Sequence, residues 1–207
     1  MSHTIRFLLT SVGLPERHPN RRAKFLSLFT KPLSELQVAF IPTASRTPEE
    51  RIFCTQSKEE LVALGIPREN INTIELDRTA VTPDLLAEYD LVYVCGGNTF
   101  YLLHCAKESG FTAALPAFQG VYVGVSAGSI LPGPSIEIAR PWDENDSGIT
   151  DPSGVGLVSF SASPHYVANE EDLVAGIEKT VTYKIVRLSD AQAIYSEGGD
   201  MCTVIEN

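Results

Sequence analysis

Residues Gly124 to Gly128 read GVSAG and fit the pattern G-x-S-x-G. A serine in that pattern can sit on a sharp strand-to-helix turn, with its hydroxyl clear of its neighbours. The free N–H groups of a helix start favour a developing oxyanion there. Ser126 is therefore a candidate nucleophile. Three fixed Gly and Ser positions also arise by accident in on the order of one chain in twenty of this length, so the motif needs its context. The competing reading is a tight turn whose glycines permit close packing, with Ser126 as a helix cap. The run before it, Val121–Val125 (VYVGV), is continuously apolar, as in a strand covered on both faces. Ser126 then lies at the carboxyl end of a strand, where open α/β sheets bind their ligands.

A serine hydroxyl needs a base. The histidines are His3, His18, His104 and His165. His3 is close to the terminus, His18 is in a polar loop, and His104 falls inside a helical stretch, where packing or surface is its role. His165, in SPHY, follows a strand-like segment and is the base expected to reach Ser126. Its other ring nitrogen requires an orienting carboxylate. Glu137, Asp143, Glu144, Asp146 and Asp151 lie in or beside a polar loop, and Glu197 ends a late strand in YSEGG. Glu197 is favoured, because a strand end is held more rigidly than a long loop. A second glycine turn, CGGNTF (Cys95–Phe100), also follows a buried strand and opens a helix. Its adjacent glycines let N–H groups face a ligand, and one of them with the N–H of Ala127 would make a two-donor oxyanion hole. A phosphate cradle or a plain turn is the other reading, and GGN is too short for a dinucleotide or P-loop fingerprint.

The elements that position these residues alternate between short apolar runs and amphipathic stretches, an α/β pattern. Strands are expected at Ile5–Leu9, Val38–Ile41, Ile71–Leu76, Leu91–Val94, Val121–Val125 and Leu157–Ser161. Three late strands, Ile185–Leu188, Ala193–Tyr195 and Cys202–Ile205, are spaced like a hairpin or meander. Helices are expected at Arg22–Phe29, Pro48–Leu64 (Thr47 as cap, Gly65 just past the end), Pro83–Glu88, from Asn98 through about Glu108, and Glu170–Thr180. Arg140–Gly154 is a long polar loop, of a length that is usually functional or mobile. The expectation is a three-layer α/β sandwich with a mostly parallel sheet, helices on both faces and an antiparallel edge.

The chain has 207 residues, for which one domain spanning 1–207 is the expectation. A net charge of −10 argues against nucleic acid or an anionic membrane as partner, since both require clustered Lys and Arg. The four cysteines, Cys54, Cys95, Cys105 and Cys202, contain no C-x-x-C pair, so neither a metal nor a redox motif is expected. Cys95 and Cys105, inside apolar runs, are expected as buried thiols. No apolar run is long enough to span a membrane. The apolar stretch in MSHTIRFLLTSVG is too short for a signal segment and reads as a first strand. A cytoplasmic location with no cofactor is expected.

Three segments in order, VCGGNTFYLL, VGVSAGS and SPHY, resemble the peptidase E (aspartyl dipeptidase) family, to which cyanophycinase is related. FIPTAS (Phe40–Ser45) is similar to the family's early strand, and the likeness covers nearly the whole chain. The resemblance implies a fold similar to class I glutamine amidotransferases, flavodoxin-like, with a serine where those use cysteine. It implies Ser126 as nucleophile and His165 as general base. It gives the oxyanion N–H groups to Gly97 and Ala127, with Asn98 and Thr99 shaping the pocket beside them and Gly96 in the same oxyanion and substrate-binding set. For the third member it implies Glu197 (in SEGG) first and Asp146 second, the latter from a similar Asn145–Asp146 stretch ahead of Asp151–Pro152. The activity implied is hydrolysis of a small peptide, Asp-X dipeptides included, with a homodimer left open as the assembly. The chain departs from the family after SPHY. There the aspartyl dipeptidases carry an arginine, whereas YVANEEDLVAG has none, and Arg140 is the expected substitute. The rival readings are an esterase or amidase with another substrate and a small-ligand-binding module.

Overall fold

The computed structural model describes residues 4–199 and 201–206. Five strands, β1 (Arg6–Thr10), β2 (Val38–Ile41), β3 (Ile71–Thr73), β4 (Leu91–Val94) and β5 (Val121–Val125), pair in parallel. β6 (Phe160–Pro164) and β7 (Lys184–Leu188) stand apart, and β8 (Ala193–Glu197) and β9 (Met201–Ile205) close the chain. The main sheet has seven strands in the order β3-β2-β4-β5-β1-β8-β9, with β8 and β9 antiparallel.

Both faces of the sheet's middle are buried because β2, β4 and β5 are apolar at every position rather than at every second one. On one face Leu8, Phe40, Tyr93 and Val123 meet α1 (Pro19–Ser27) and α2 (Pro48–Ala63). On the other, Phe7, Leu9, Val92 and Tyr122 meet α3 (Pro83–Ala87), α4 (Thr99–Glu108), α5 (Phe111–Ala114), α6 (Ala127–Ile130) and α7 (Glu171–Glu178). These are the three expected layers. The cap of α2 is as the sequence implied. Thr47 accepts from the Glu50 N–H, the Glu50 side chain returns to the Thr47 N–H, and Gly65 follows the helix at φ +109°.

The late strands differ from expectation. Strand β6 lies three residues beyond Leu157–Ser161. Strand β7 makes no hairpin with β8, and pairs in parallel with β6 as a second, two-stranded sheet, Pro164 opposite Leu188. The reason is α7, which lies between β6 and β7 and carries the chain back to start in the same direction, as parallel pairing requires. Only β8 and β9 form the antiparallel hairpin.

The motif glycines are required by contact distance. A Cβ on Gly124 would lie 2.3 Å from the Gly128 carbonyl oxygen, and one on Gly128 would lie 2.2 Å from that of Val94. Both obstacles are backbone, so α6 can leave β5 against β4 only with glycine at the two positions. Gly128→Ala is expected to lower the unfolding free energy by about 3 kcal/mol, the upper end for overpacking. Gly176→Ala in α7, where nothing lies within 4 Å, is expected to raise it by about 0.5–1 kcal/mol through helix propensity. Urea denaturation of the two variants would check both signs.

Candidate active site

Strand β5 ends at Val125, and the backbone turns at Ser126 with φ 50° and ψ −112°, values a side chain rarely adopts. The turn is held by the Ser126 N–H, which donates to the Thr10 carbonyl of β1 at 2.9 Å. Ser129, one turn on, grips the same residue twice: its Oγ accepts from the Thr10 N–H and donates to the Thr10 carbonyl.

His165 follows β6 directly and is the other non-glycine residue at positive φ among those described, at 58°. Its Nε2 is 3.0 Å from Ser126 Oγ and its Nδ1 is 2.8 Å from Asp190 Oδ1. The two side chains His165 and Asp190 are about half exposed, at 51% and 59%. Ser11, fully buried at the end of β1, fastens this corner. Its Oγ accepts the His165 N–H at 3.0 Å and donates to the Leu188 carbonyl at the end of β7 at 2.9 Å. The carboxyl ends of β1, β5, β6 and β7 therefore meet at one point.

Asp190 sits on the β7–β8 turn, closed by the Gln192 N–H donating to the Ser189 carbonyl. Arg21 of α1 braces that turn from below. It is completely buried, and its guanidinium donates to the carbonyls of Gly13, Asp190 and Gln192 at 2.7–2.8 Å. Burial lowers its pKa to about 10, so it stays charged at neutral pH.

Neither acid favoured by sequence faces His165. Glu197 ends β8, but β8 is antiparallel to β1, so Glu197 pairs with Arg6 at the opposite edge of the sheet from Ser126. Its carboxylate accepts from the Tyr195 hydroxyl. Asp146 is ion-paired with Arg46 at 2.6 Å, which holds its carboxyl below the usual range. Asp190, in LSDAQ, lies two residues past the end of β7, as Glu197 lies two residues past the expected strand Ala193–Tyr195. Only the direction of each strand separates them.

The glycine turn lies against Ser126. A Cβ on Gly96 would lie 2.9 Å from Ser126 Cβ, and one on Gly97, at φ +132°, would lie 2.1 Å from the Ala44 carbonyl oxygen of the FIPTAS segment. Asn98 caps α4 by accepting from the Tyr101 N–H. Its amide donates to the Glu144 carbonyl, so its side chain holds the 140–154 loop more than it shapes a pocket. Further ties of that loop include Asp143 to the Thr99 N–H, Asp146 to Arg46, and Asp151 to Lys107. Arg140 does not face Ser126. It is exposed and forms a two-bond pair with Glu137, three residues earlier on the same turn.

Two cavities meet at Ser126 and His165. The larger, about 410 Å³, is walled by α2 (Glu50, Phe53, Cys54, Ser57, Glu60) and also lined by Arg17. The smaller, about 190 Å³, is lined by Thr99, Trp142, Asp143 and Glu170 among others. Of the other histidines, His18 is buried beside Arg21, with its pKa lowered by burial first and by Arg21 second. His104 lines a separate groove, and His3 lies outside the described residues. No group of three metal-binding side chains occurs among the described residues, and no helix among them is long and apolar enough to cross a membrane.

The Arg21 brace has a measurable weight. Arg21→Lys keeps the charge but loses the planar fork, leaving buried carbonyls without donors. It is expected to cost about 1–3 kcal/mol in chemical denaturation. Hydrogen exchange of the Gln192 amide should accelerate by more than that of the sheet amides.

Comparisons with known proteins identify the family. The model of peptidase family S51 matches residues 7–204. The chain is 32% identical to an uncharacterized peptidase, Lmo0363, of Listeria monocytogenes, over 85% of this chain and 91% of that protein. It is 32% identical to peptidase E of Salmonella arizonae, over 61% of this chain and 54% of that protein. The crystal structure of a candidate peptidase E protein from Listeria monocytogenes superposes with a TM-score of 0.79 at 25% identity, covering 99% of both chains. The chain belongs to peptidase family S51 and is a serine peptidase.

Proposed function

We propose that this peptidase cleaves short peptides through a Ser126–His165–Asp190 triad and an acyl-enzyme. The observation that carries the reading is the unbroken series of two contacts, Ser126 Oγ to His165 Nε2 at 3.0 Å and His165 Nδ1 to Asp190 at 2.8 Å, built on a strained elbow. Asp190 accepts the Nδ1 proton and so fixes the tautomer in which Nε2 is a base. Ser126 Oγ attacks the peptide carbonyl while His165 takes its proton. The same proton then goes to the leaving amine. The N–H groups of Gly97 and Ala127 receive the oxyanion, which forms where the glycine turn and the first turn of α6 converge. Water next attacks the ester, with His165 again as base.

The larger cavity takes the acyl residue and the smaller takes the leaving residue. Its charges support an N-terminal aspartyl residue. Arg17 and Glu60 both line the larger cavity, and in this reading Arg17 takes the side-chain carboxylate and Glu60 the α-ammonium. Arg17 thus fills the place for which Arg140 was expected.

Two experiments test this. Ser126→Ala is expected to abolish turnover of a mixed dipeptide and tripeptide panel read by mass spectrometry. Asp190→Asn should lower kcat by up to about 10,000-fold, as in other triads of this kind, while Glu197→Gln and Asp146→Asn stay near wild type. Equal losses in all three acid variants would remove Asp190 from its role. Separately, Arg17→Gln should reduce kcat/KM for Asp-X by roughly 10- to 150-fold, the 1.5–3 kcal/mol scale of a charged hydrogen bond. Neutral-X peptides should be little affected. Uniform losses across the panel would exclude Arg17 as the specificity cation.

A further inference from the structure

Two thiols from distant parts of the chain meet in the wall of the larger cavity. Cys54 comes from the middle of α2 and Cys95 from the residue after β4. Both line the cavity, both are nearly buried at 6% and 2%, and each thiol lies near enough to shift the other's titration. Cys54 Sγ also donates to Ser45 Oγ at 3.0 Å, and Ser45 Oγ donates to the Gly96 carbonyl at 2.7 Å. This short relay runs from a thiol to the glycine turn that flanks Ser126.

We propose that Cys54 and Cys95 are an oxidation site for peroxides, at which a disulfide between them releases the Gly96–Gly97 turn and switches the peptidase off. The site is separate from the proposed chemistry, since neither thiol has a part in it. Only the last clause, loss of activity, rests on that proposed function.

The groups around Cys54 assign it as the attacking thiol. Cys95 faces it from the end of β4, Ser45 from the segment after β2, Arg51 from its own helix and Glu75 from the segment after β3. The Cys95 thiol lowers its pKa most. Burial opposes this, Ser45 and Arg51 assist, and the result is about 7. Burial instead pushes Cys95 well up, which keeps it protonated and suited to the resolving step. The Cys54 thiolate attacks one oxygen of hydrogen peroxide, the O–O bond breaks, and hydroxide leaves with a proton as water. Cys95 then attacks the sulfenic sulfur and the S–O bond breaks. The proton from Cys95 and the departing hydroxide make the second water. Two thiols are oxidised by two electrons and one peroxide is reduced to two waters.

The coupling to Ser126 follows from proton counting. Ser45 has one hydroxyl proton, now given to the Gly96 carbonyl. When Cys54 moves onto Cys95 in the disulfide, Ser45 loses the donor that holds it and the carbonyl loses a fixed partner. Gly96 lies so close to Ser126 that a Cβ built on it would stand 2.9 Å from Ser126 Cβ, so a shift of Gly96 disturbs Ser126.

The test treats the full-length protein with hydrogen peroxide and follows three signals. Intact mass should fall by two hydrogens, peptide mapping should join Cys54 to Cys95, and dithiothreitol should reverse both. Exchange of the Gly96 and Gly97 amides should speed up on oxidation, whether or not a substrate is in hand. Peptide turnover should fall and recover with the same course. Cys95→Ala should stop the reaction at a sulfenic acid on Cys54 that dimedone traps. Alkylation of Cys54 in wild type should rise with pH below the range of an ordinary thiol, because only the thiolate reacts, and this shift should shrink in Cys95→Ala. Cys105→Ser and Cys202→Ser should behave as wild type. An unchanged mass, or linkage through Cys105 or Cys202, overturns the oxidation site. A Cys54–Cys95 disulfide that leaves amide exchange and turnover as before overturns the switch. A protein that forms the disulfide and speeds exchange but cleaves no peptide in either state counts against the proposed function and leaves the site standing.

Discussion

The backbone at Ser126 is held in a conformation that costs energy, and much of the molecule is arranged to hold it there. Left-handed geometry at a residue with a side chain is strained by about 1–3 kcal/mol. What opposes relaxation is contact on every side. Gly124 and Gly128 let the start of α6 press against β5 and β4 at distances no Cβ could share. Thr10 holds the turn from β1 through the Ser126 N–H, and Ser129 grips Thr10 from the next turn. A serine placed this way points its hydroxyl out of the sheet edge, with the glycine turn Gly96–Gly97 lying beside it.

The second half of the site is built by a different device. The small parallel pair of β6 and β7 ends both strands at the same edge, which sets His165 and Asp190 side by side. Ser11 stitches this pair to the main sheet, and Arg21 supports the Asp190 turn from the opposite layer. The site is therefore a meeting of two sheets. Each supplies its part rigidly, and the contact between Ser126 and His165 spans the join. The half-exposed imidazole and carboxylate are consistent with a peptide that completes the enclosure when it binds.

A chain of net charge −10 has few cations to direct at a substrate. Most of those near the site are committed elsewhere: Arg46 to Asp146, Arg140 to Glu137, Lys107 to Asp151, Arg51 to Glu75. Arg17 lines the larger cavity together with Glu50 and Glu60, giving that cavity charges of both signs. The acidic loop after α6, by contrast, uses its carboxylates as tethers to the helix start of α4 and to surface cations.

How much of this was legible in the chain divides along local and non-local lines. The strand-turn-helix at Ser126, the glycine turn at Gly96, the cap at Thr47 and the histidine after a strand were readable, because each is written in consecutive residues whose conformational preferences agree. Burial of Cys95 and Cys105 was readable for the same reason, from the apolar runs around them. The partner of His165 was not. Glu197 and Asp190 both follow short late strands, and nothing local distinguishes them. Asp190 faces His165 because β7 runs parallel to β6, and Glu197 is at the far edge because β8 runs antiparallel to β1. The same holds for Arg17, Arg21 and the pairing of Cys54 with Cys95, which join segments far apart in the chain. The sequence by itself determined which residues could do chemistry and the local turns that present them. The tertiary structure alone decided which of them meet, because strand direction is a property of the pairing and not of the strand.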